Sequence, residues 1–255
     1  MQRLPKDILM VCACLFSLTG HAIVISPDIQ VEPAASLQTD AGRAYLQGDY
    51  QTAAILYRPM AEHGDAEAPL ILGSMYDVGR GVRQDYGEAF KWYRLAAEHG
   101  NARAQWKLGA MYDIGLGVSQ DNMEAMKWWR LAAEQGDAFA QLNLGAKYDH
   151  GRGVPKDLKE AVKWYRLSAE QGNAFAQEKL AWKYLLGEGV AQDDVLAYMW
   201  LNLAASDQST LRRKAAIQQR IQQRDALARG MTADQLAKAR ELVRSCAAHN
   251  FRGCQ

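Results

Sequence analysis

The sequence predicts an all-α solenoid of about four and a half 36-residue repeats, closed at both ends by capping helices. Three observations predict it. Asp49, Asp85, Asp121, Asp157 and Asp193 stand 36 residues apart. The segments 85–120, 121–156 and 157–192 align almost column for column, with a looser copy at 49–84 and half a copy after Asp193. Each carries apolar residues at helical spacing and ends in a Gly-x-Gly-Val corner or a close variant of it.

Each element can be justified in order. Residues 37–47 read as a short leading helix that covers the first repeat, with Gly48 before the Asp49 cap. In every repeat the aspartate caps a first helix, because its carboxylate accepts from backbone N–H groups that have no partner within the helix. That helix stops at Gly100, Gly136 or Gly172, where a left-handed residue suits a C-terminal cap. Asn101, Asp137 and Asn173 then cap a second helix with an apolar stripe such as Ala104, Leu108 and Tyr112. Paired glycines such as Gly115 and Gly117 permit positive φ at its end, and Val118 plugs the corner. Pro59 falls inside the first helix of the first copy and predicts a kink there, whereas Pro69 sits near a helix start. Trp92, Trp128, Trp164 and Trp200 form a ladder at one repeat position and read as core packing. From 210 to 229 the pattern loosens into a Gln/Arg-rich helix. A final helix opens on a capping box at Thr232 and Gln235, with Met231 and Leu236 placed as a hydrophobic staple. Residues 209–255 therefore read as a polar-backed terminal cap following a solenoid over 37–208.

Composition narrows the class. With 255 residues, 49% hydrophobic, the chain can bury a sizeable core, so disorder and a disulfide-stapled miniprotein are excluded. Lys and Arg number 30 against 29 Asp and Glu, a balance that argues against binding nucleic acid through phosphate neutralisation. Residues 1–22 have the layout of a secretory signal: Arg3 and Lys6, an apolar run from Ile8 to Leu18, and a small-x-small site at Gly20-His21-Ala22. Cleavage fits better than lipidation at Cys14, which would leave a very short apolar run before the cysteine. The run is too short to span a bilayer, and nothing later resembles a span. The expectation is export, to the periplasm or beyond, with 23–36 a flexible lead-in. Its only remaining cysteines, Cys246 and Cys254, are expected to close a small disulfide loop in an oxidising compartment, two free thiols being the other reading.

These residues carry a resemblance. Ala102 to Val118 followed by Asp121 to Gly136 resembles the Sel-one-like repeat family, a relative of tetratricopeptide repeats, with Trp129 in place of the usual tyrosine. The resemblance covers about residues 49–207. It implies a right-handed α/α superhelix whose second helices line the concave surface, and a role as scaffold or adaptor. Secreted members that bind penicillins carry cysteine pairs through the repeats. Residues 23–245 contain none, which speaks against a β-lactamase-like hydrolase.

No catalytic constellation, cofactor motif or metal-ligand spacing stands out. His63 and His99 precede helix-ending glycines, where Gln135 and Gln171 stand in the next copies, so a capping role is expected. His150 and His249 have no H-x-x-x-H partner. Asp77, Asp113 and Asp149 sit in last turns, where the dipole disfavours an anion; pairing with Arg94, Arg130 and Arg166 is expected to compensate. Recognition is expected where the second helices vary between copies, at offsets of three, four and seven along one face. The candidate partner-binding residues are Arg103, Trp106, Lys107, Phe139, Asn143, Phe175, Lys179 and Trp182, a mixture of aromatics and polar groups typical of interface hot spots. A second reading packs the aromatics against the next repeat. The expected partner is a protein or peptide, with a cell-wall glycan as the alternative because exposed aromatics also stack on sugar rings.

Overall fold

A computed structural model describes residues 39–206, 214–249, 251, 253 and 254. The signal at 1–22, the lead-in at 23–36 and residues 207–213 lie outside the described residues. Those described form twelve α-helices and no strand. They divide into two compact units that meet between Ala140 and Gln141.

The first unit begins with the expected leading helix, α1 (Asp40–Leu46), capped by Thr39. Three hairpin-forming first helices follow, α2 (Tyr50–Glu62), α4 (Tyr86–Glu98) and α6 (Asn122–Glu134), each opened by its aspartate: Asp49, Asp85 and Asp121 accept from backbone N–H groups two or three residues on. Their second helices are α3 (Ala68–Val78), α5 (Ala102–Ile114) and α7 (Ala138–His150), the last of which crosses into the second unit. Asn101 caps α5 and Asp137 caps α7, whereas α3 has Glu67 at its N-cap without a side-chain bond, and Asp65 accepts from the Glu67 and Ala68 N–H groups at its start. α2 runs on through Pro59 to Glu62, so the proline ends no helix. It does deprive the Ile55 carbonyl of its intrahelical donor, at an exposed position.

The second unit continues with α8 (Leu158–Ala169), α9 (Ala174–Leu186) and α10 (Asp194–Ala205), capped by Asp157, Asn173 and Asp193. α11 (Lys214–Ala228) and α12 (Ala233–Ala248) both pack on α10. The Thr232–Gln235 capping box is present with both of its hydrogen bonds. Cys246 and Cys254 lie buried at disulfide distance, with Cα atoms 5.2 Å apart.

The core column differs from the expected one. Trp164 and Trp200 of the tryptophan ladder are buried, but Trp92 and Trp128 are only half-buried. The unbroken column lies one residue later, at Tyr57, Tyr93, Trp129, Tyr165 and Leu201, none more than 1% exposed. What it packs against explains why. Tyr93 lies on Gly73, Trp129 on Gly109 and Tyr165 on Gly145, each glycine in the preceding second helix and each so close that an added Cβ would meet the ring within 2.8 Å. Trp129 also donates from its indole N–H to the Trp106 carbonyl at 3.1 Å. The last copy has Ala181 and Leu201 at the same positions, so the larger residue at the glycine site accompanies a smaller knob. Glutamines stitch the hairpins. Buried Gln105 and Gln177 donate to the Ala97 and Ala169 carbonyls, and Gln135 and Gln171 donate to the Gln105 and Gln141 side chains.

Candidate partner-binding face

The eight candidate residues separate by burial. Trp106 is wholly buried and Asn143 is 3% exposed, so neither is a surface contact in this conformation; both belong to the packing between helices. Arg103, Lys107, Phe139, Phe175, Lys179 and Trp182 are half-buried. In the first unit, Phe139 lies against the Trp106 ring with centroids 5.2 Å apart, which is the packing of one second helix on the next. Lys107 bonds Asp77 at 3.0 Å and stands over the Tyr93 and Trp106 rings. Arg103 has a buried Nη2 without an acceptor, and burial lowers its pKa. Burial likewise raises the pKa of Asp137, which lies within electrostatic reach of Arg103.

Two of the last-turn aspartates, Asp77 and Asp149, find lysines instead of the expected Arg94 and Arg166. Asp77 pairs with Lys107 and accepts from the Tyr93 hydroxyl at 3.2 Å. Asp149 pairs with Lys183 at 2.5 Å and accepts from Tyr165 at 3.3 Å. Arg94 turns outward to Glu98, and Arg166 donates to the Tyr184 hydroxyl. In both pairs the lysine comes from the following second helix. The tyrosine hydroxyls are pushed well up, first by burial and then by the neighbouring carboxylate. His63 takes the expected capping position, its Nδ1 bonded to the Pro59 carbonyl at 2.7 Å.

In the second unit, Phe175 is not bare. The Arg220 guanidinium of α11 lies 4.9 Å over its ring, and Nε of the same arginine donates to Glu178 at 2.8 Å. Sequence reasoning missed Arg220 and Glu178 as a pair. The available signal was the Gln/Arg-rich run itself, whose only large aliphatics within α11 are Ile217, Ile221 and Leu227.

Among the described residues no cluster of three or more His, Cys, Asp or Glu side chains could hold a metal ion, and no helix is long and apolar enough to cross a membrane. Two hollows are shallow and open. One of about 580 Å³ is lined by Tyr76, Val82, Arg83, Gln84 and Asp85. The other, about 330 Å³, lies beside Trp92, Leu95, Glu88 and Glu98.

The repeat geometry agrees with comparison. The Sel1 repeat pattern matches residues 37–65, 66–101, 102–137, 138–173 and 174–209. The chain belongs to the Sel1 repeat family. It is 32% identical to a Sel1 repeat protein from Oxalobacter formigenes, over 76% of this chain and 85% of that one, with a TM-score of 0.64. It is also 27% identical to a protective antigen of uropathogenic Escherichia coli strains displaying an SLR fold, over 82% of this chain and 61% of that one, with a TM-score of 0.47. No curated protein matches. The family places the chain among scaffold folds whose repeats commonly mediate protein interactions.

Proposed function

We propose that this Sel1 repeat protein is an exported, non-catalytic scaffold that binds a protein or peptide partner on the face of its second helices. One observation carries the reading. The column at Tyr57, Tyr93, Trp129 and Tyr165 is buried, whereas six of the eight candidate positions of α5, α7 and α9 hold large half-buried aromatics and cations, Trp106 and Asn143 being buried. Phe139, Lys107 and Arg103 in the first unit, and Phe175, Lys179 and Trp182 in the second, combine apolar area with hydrogen-bonding ends. Export rests on the signal-like residues 1–22, and an oxidising destination suits a Cys246–Cys254 disulfide.

Selection of a displayed peptide library on the full chain tests this. Bound sequences should converge, and their affinity should fall at least tenfold with Phe139→Ala or Lys107→Glu while circular dichroism stays unchanged. Convergent peptides that bind both variants as well as the parent would refute it. The glycan alternative has one specific support, the hollow where half-buried Trp92 stands between Glu88 and Glu98. Sedimentation with purified peptidoglycan that is lost in Trp92→Ala would favour it.

A further inference from the structure

α11 is an odd capping helix. The face it buries carries Arg220, Gln223 and Leu227, at 1%, 8% and 5% exposure. A cap built for stability alone would place aliphatic side chains there, because a buried ion pair seldom outperforms a well-packed apolar pair of the same volume. The polar groups are also incompletely satisfied. Arg220 gives Nε to Glu178 at 2.8 Å and Nη1 to the Ala204 carbonyl at a long 3.4 Å. Its Nη2 and the Gln223 Oε1 are buried without a partner.

What surrounds the guanidinium is nevertheless well suited to one. A planar cation lies over an aromatic ring at 4.9 Å and is held at its edge by a carboxylate. Both side chains stand in variable columns of the second helices. The corresponding pairs in earlier copies are Glu67 with Leu70, Arg103 with Trp106 and Phe139 with Leu142, so aromatic and carboxylate come together in this copy alone.

We propose that the Phe175–Glu178 face of α9 is a recognition site for an arginine side chain of a protein partner, occupied in the free protein by Arg220 of α11. The inference rests on the second-helix face being the binding surface and deepens it by naming the chemistry of one contact. Arg220 is the resident ligand, held at the site by the packing of α11 on α10. A partner's arginine must displace it, so the free chain binds more weakly than its site allows by the fraction of time the site stands open. The orphaned Nη2 makes the resident replaceable, since an arginine arriving on a separate chain can bring its own acceptors.

The test uses the full chain, a fluorescein-labelled Gly-Arg-Gly-Arg-Gly-Arg-Gly peptide and its citrulline counterpart, read by fluorescence anisotropy. Arg220→Ala should bind the arginine peptide at least tenfold more tightly than the parent chain. Glu178→Gln in that background should lose the gain, and the citrulline peptide, neutral but of the same shape, should not bind. Equal binding by Arg220→Ala and the parent, or a gain that survives Glu178→Gln, overturns the proposal. If Arg220→Ala does not fold by circular dichroism, Arg220→Leu, which keeps the helix contact but is too short to occupy the guanidinium's place between Phe175 and Glu178, takes its place with the same expectations. A selected library peptide that loses affinity with Phe139→Ala but ignores Glu178→Gln would leave the binding-face reading standing and remove the arginine site.

Discussion

Gly115 and Gly117 close the same turn and both have positive φ, +73° and +71°, yet alanine should be tolerated at one and not at the other. In the left-handed region an alanine costs about 1–2 kcal/mol. Restricting the unfolded chain returns about 0.4–1 kcal/mol of that. At Gly115 the new Cβ would meet the Gln120 Cβ and N at 3.3 Å, a contact that relaxes with a small shift. Gly115→Ala should therefore destabilise by about 1 kcal/mol. At Gly117 the Cβ would meet the Tyr86 carbonyl oxygen at 2.2 Å and its carbon at 2.5 Å. Both are backbone at the start of α4, so no side chain can turn aside. The corner must move by about 1 Å to restore ordinary contact, which puts Gly117→Ala above roughly 3 kcal/mol, in the range reserved for named structural lesions. Urea unfolding followed by far-ultraviolet circular dichroism measures both, provided the m-value is unchanged. Gly187 and Gly189 repeat the comparison in the second unit, where the Cβ of residue 189 would meet the Leu158 carbonyl oxygen at 2.2 Å. If the two variants of either pair agree within about 0.5 kcal/mol, the close approach of the corner to the first helix is not what selects the second glycine.

Four further outcomes follow from the packing, the ion pairs and the tail. Trp129→Ala should cost about 3–5 kcal/mol and Trp128→Ala less than half of that, because one indole is buried on Gly109 and the other is half-exposed; thermal unfolding compares them. Lys183→Met should cost about 3–5 kcal/mol by stranding Asp149, while the Asp149→Leu/Lys183→Met double variant recovers most of it, and a denaturant double-mutant cycle reads the difference. His150 has its pKa lowered by burial, and Lys179, Arg152 and Lys183 act in the same direction against the opposing Asp149. The unfolded chain therefore binds a proton there before the folded one does, and stability falls as pH drops below about 6.5 towards the folded value. His150→Gln should narrow the gap in Tm between pH 7.5 and 5.5, and an unchanged gap would contradict the assignment. Finally, Cys246→Ser, or a dithiol reductant, should lower the Tm, the closed loop being short and the expected loss about 2–3 kcal/mol.

Most of the fold was legible because a repeat states each rule several times. Five aspartate caps, the glycine stops and the capping box all recur as anticipated, since each depends on local chemistry. The ladder held at Trp164 and Trp200 but was misread by one residue at Trp92 and Trp128, for a physical reason. Positions 92 and 93, or 128 and 129, are both aromatic and differ by only one helical step, so periodicity marks a wide apolar stripe without saying which edge faces the preceding hairpin. The deciding information is pairwise: Gly73, Gly109 and Gly145 make room for a ring, and Ala181 goes with Leu201. Asp77 and Asp149 were misassigned similarly, because helix-end electrostatics demands a cation without saying from which helix it comes. The candidate face was half legible. Variation between copies marks out columns of the second helices, but it could not separate Trp106, which is buried under Phe139, from Phe139 itself.

The two kinds of column have different physical tolerances, which is why recognition can reside in one of them. A ring seated on a helix glycine leaves no spare volume, so the Tyr165–Gly145 fit fixes the spacing between hairpins and permits almost no change. The Phe175 and Glu178 positions are less constrained: their columns hold Glu, Arg and Phe, and Leu, Trp and Glu, and the Glu178 position is half-buried where Leu70, Trp106 and Leu142 are buried. A solenoid can therefore vary its ligand chemistry one repeat at a time while its pitch is set elsewhere.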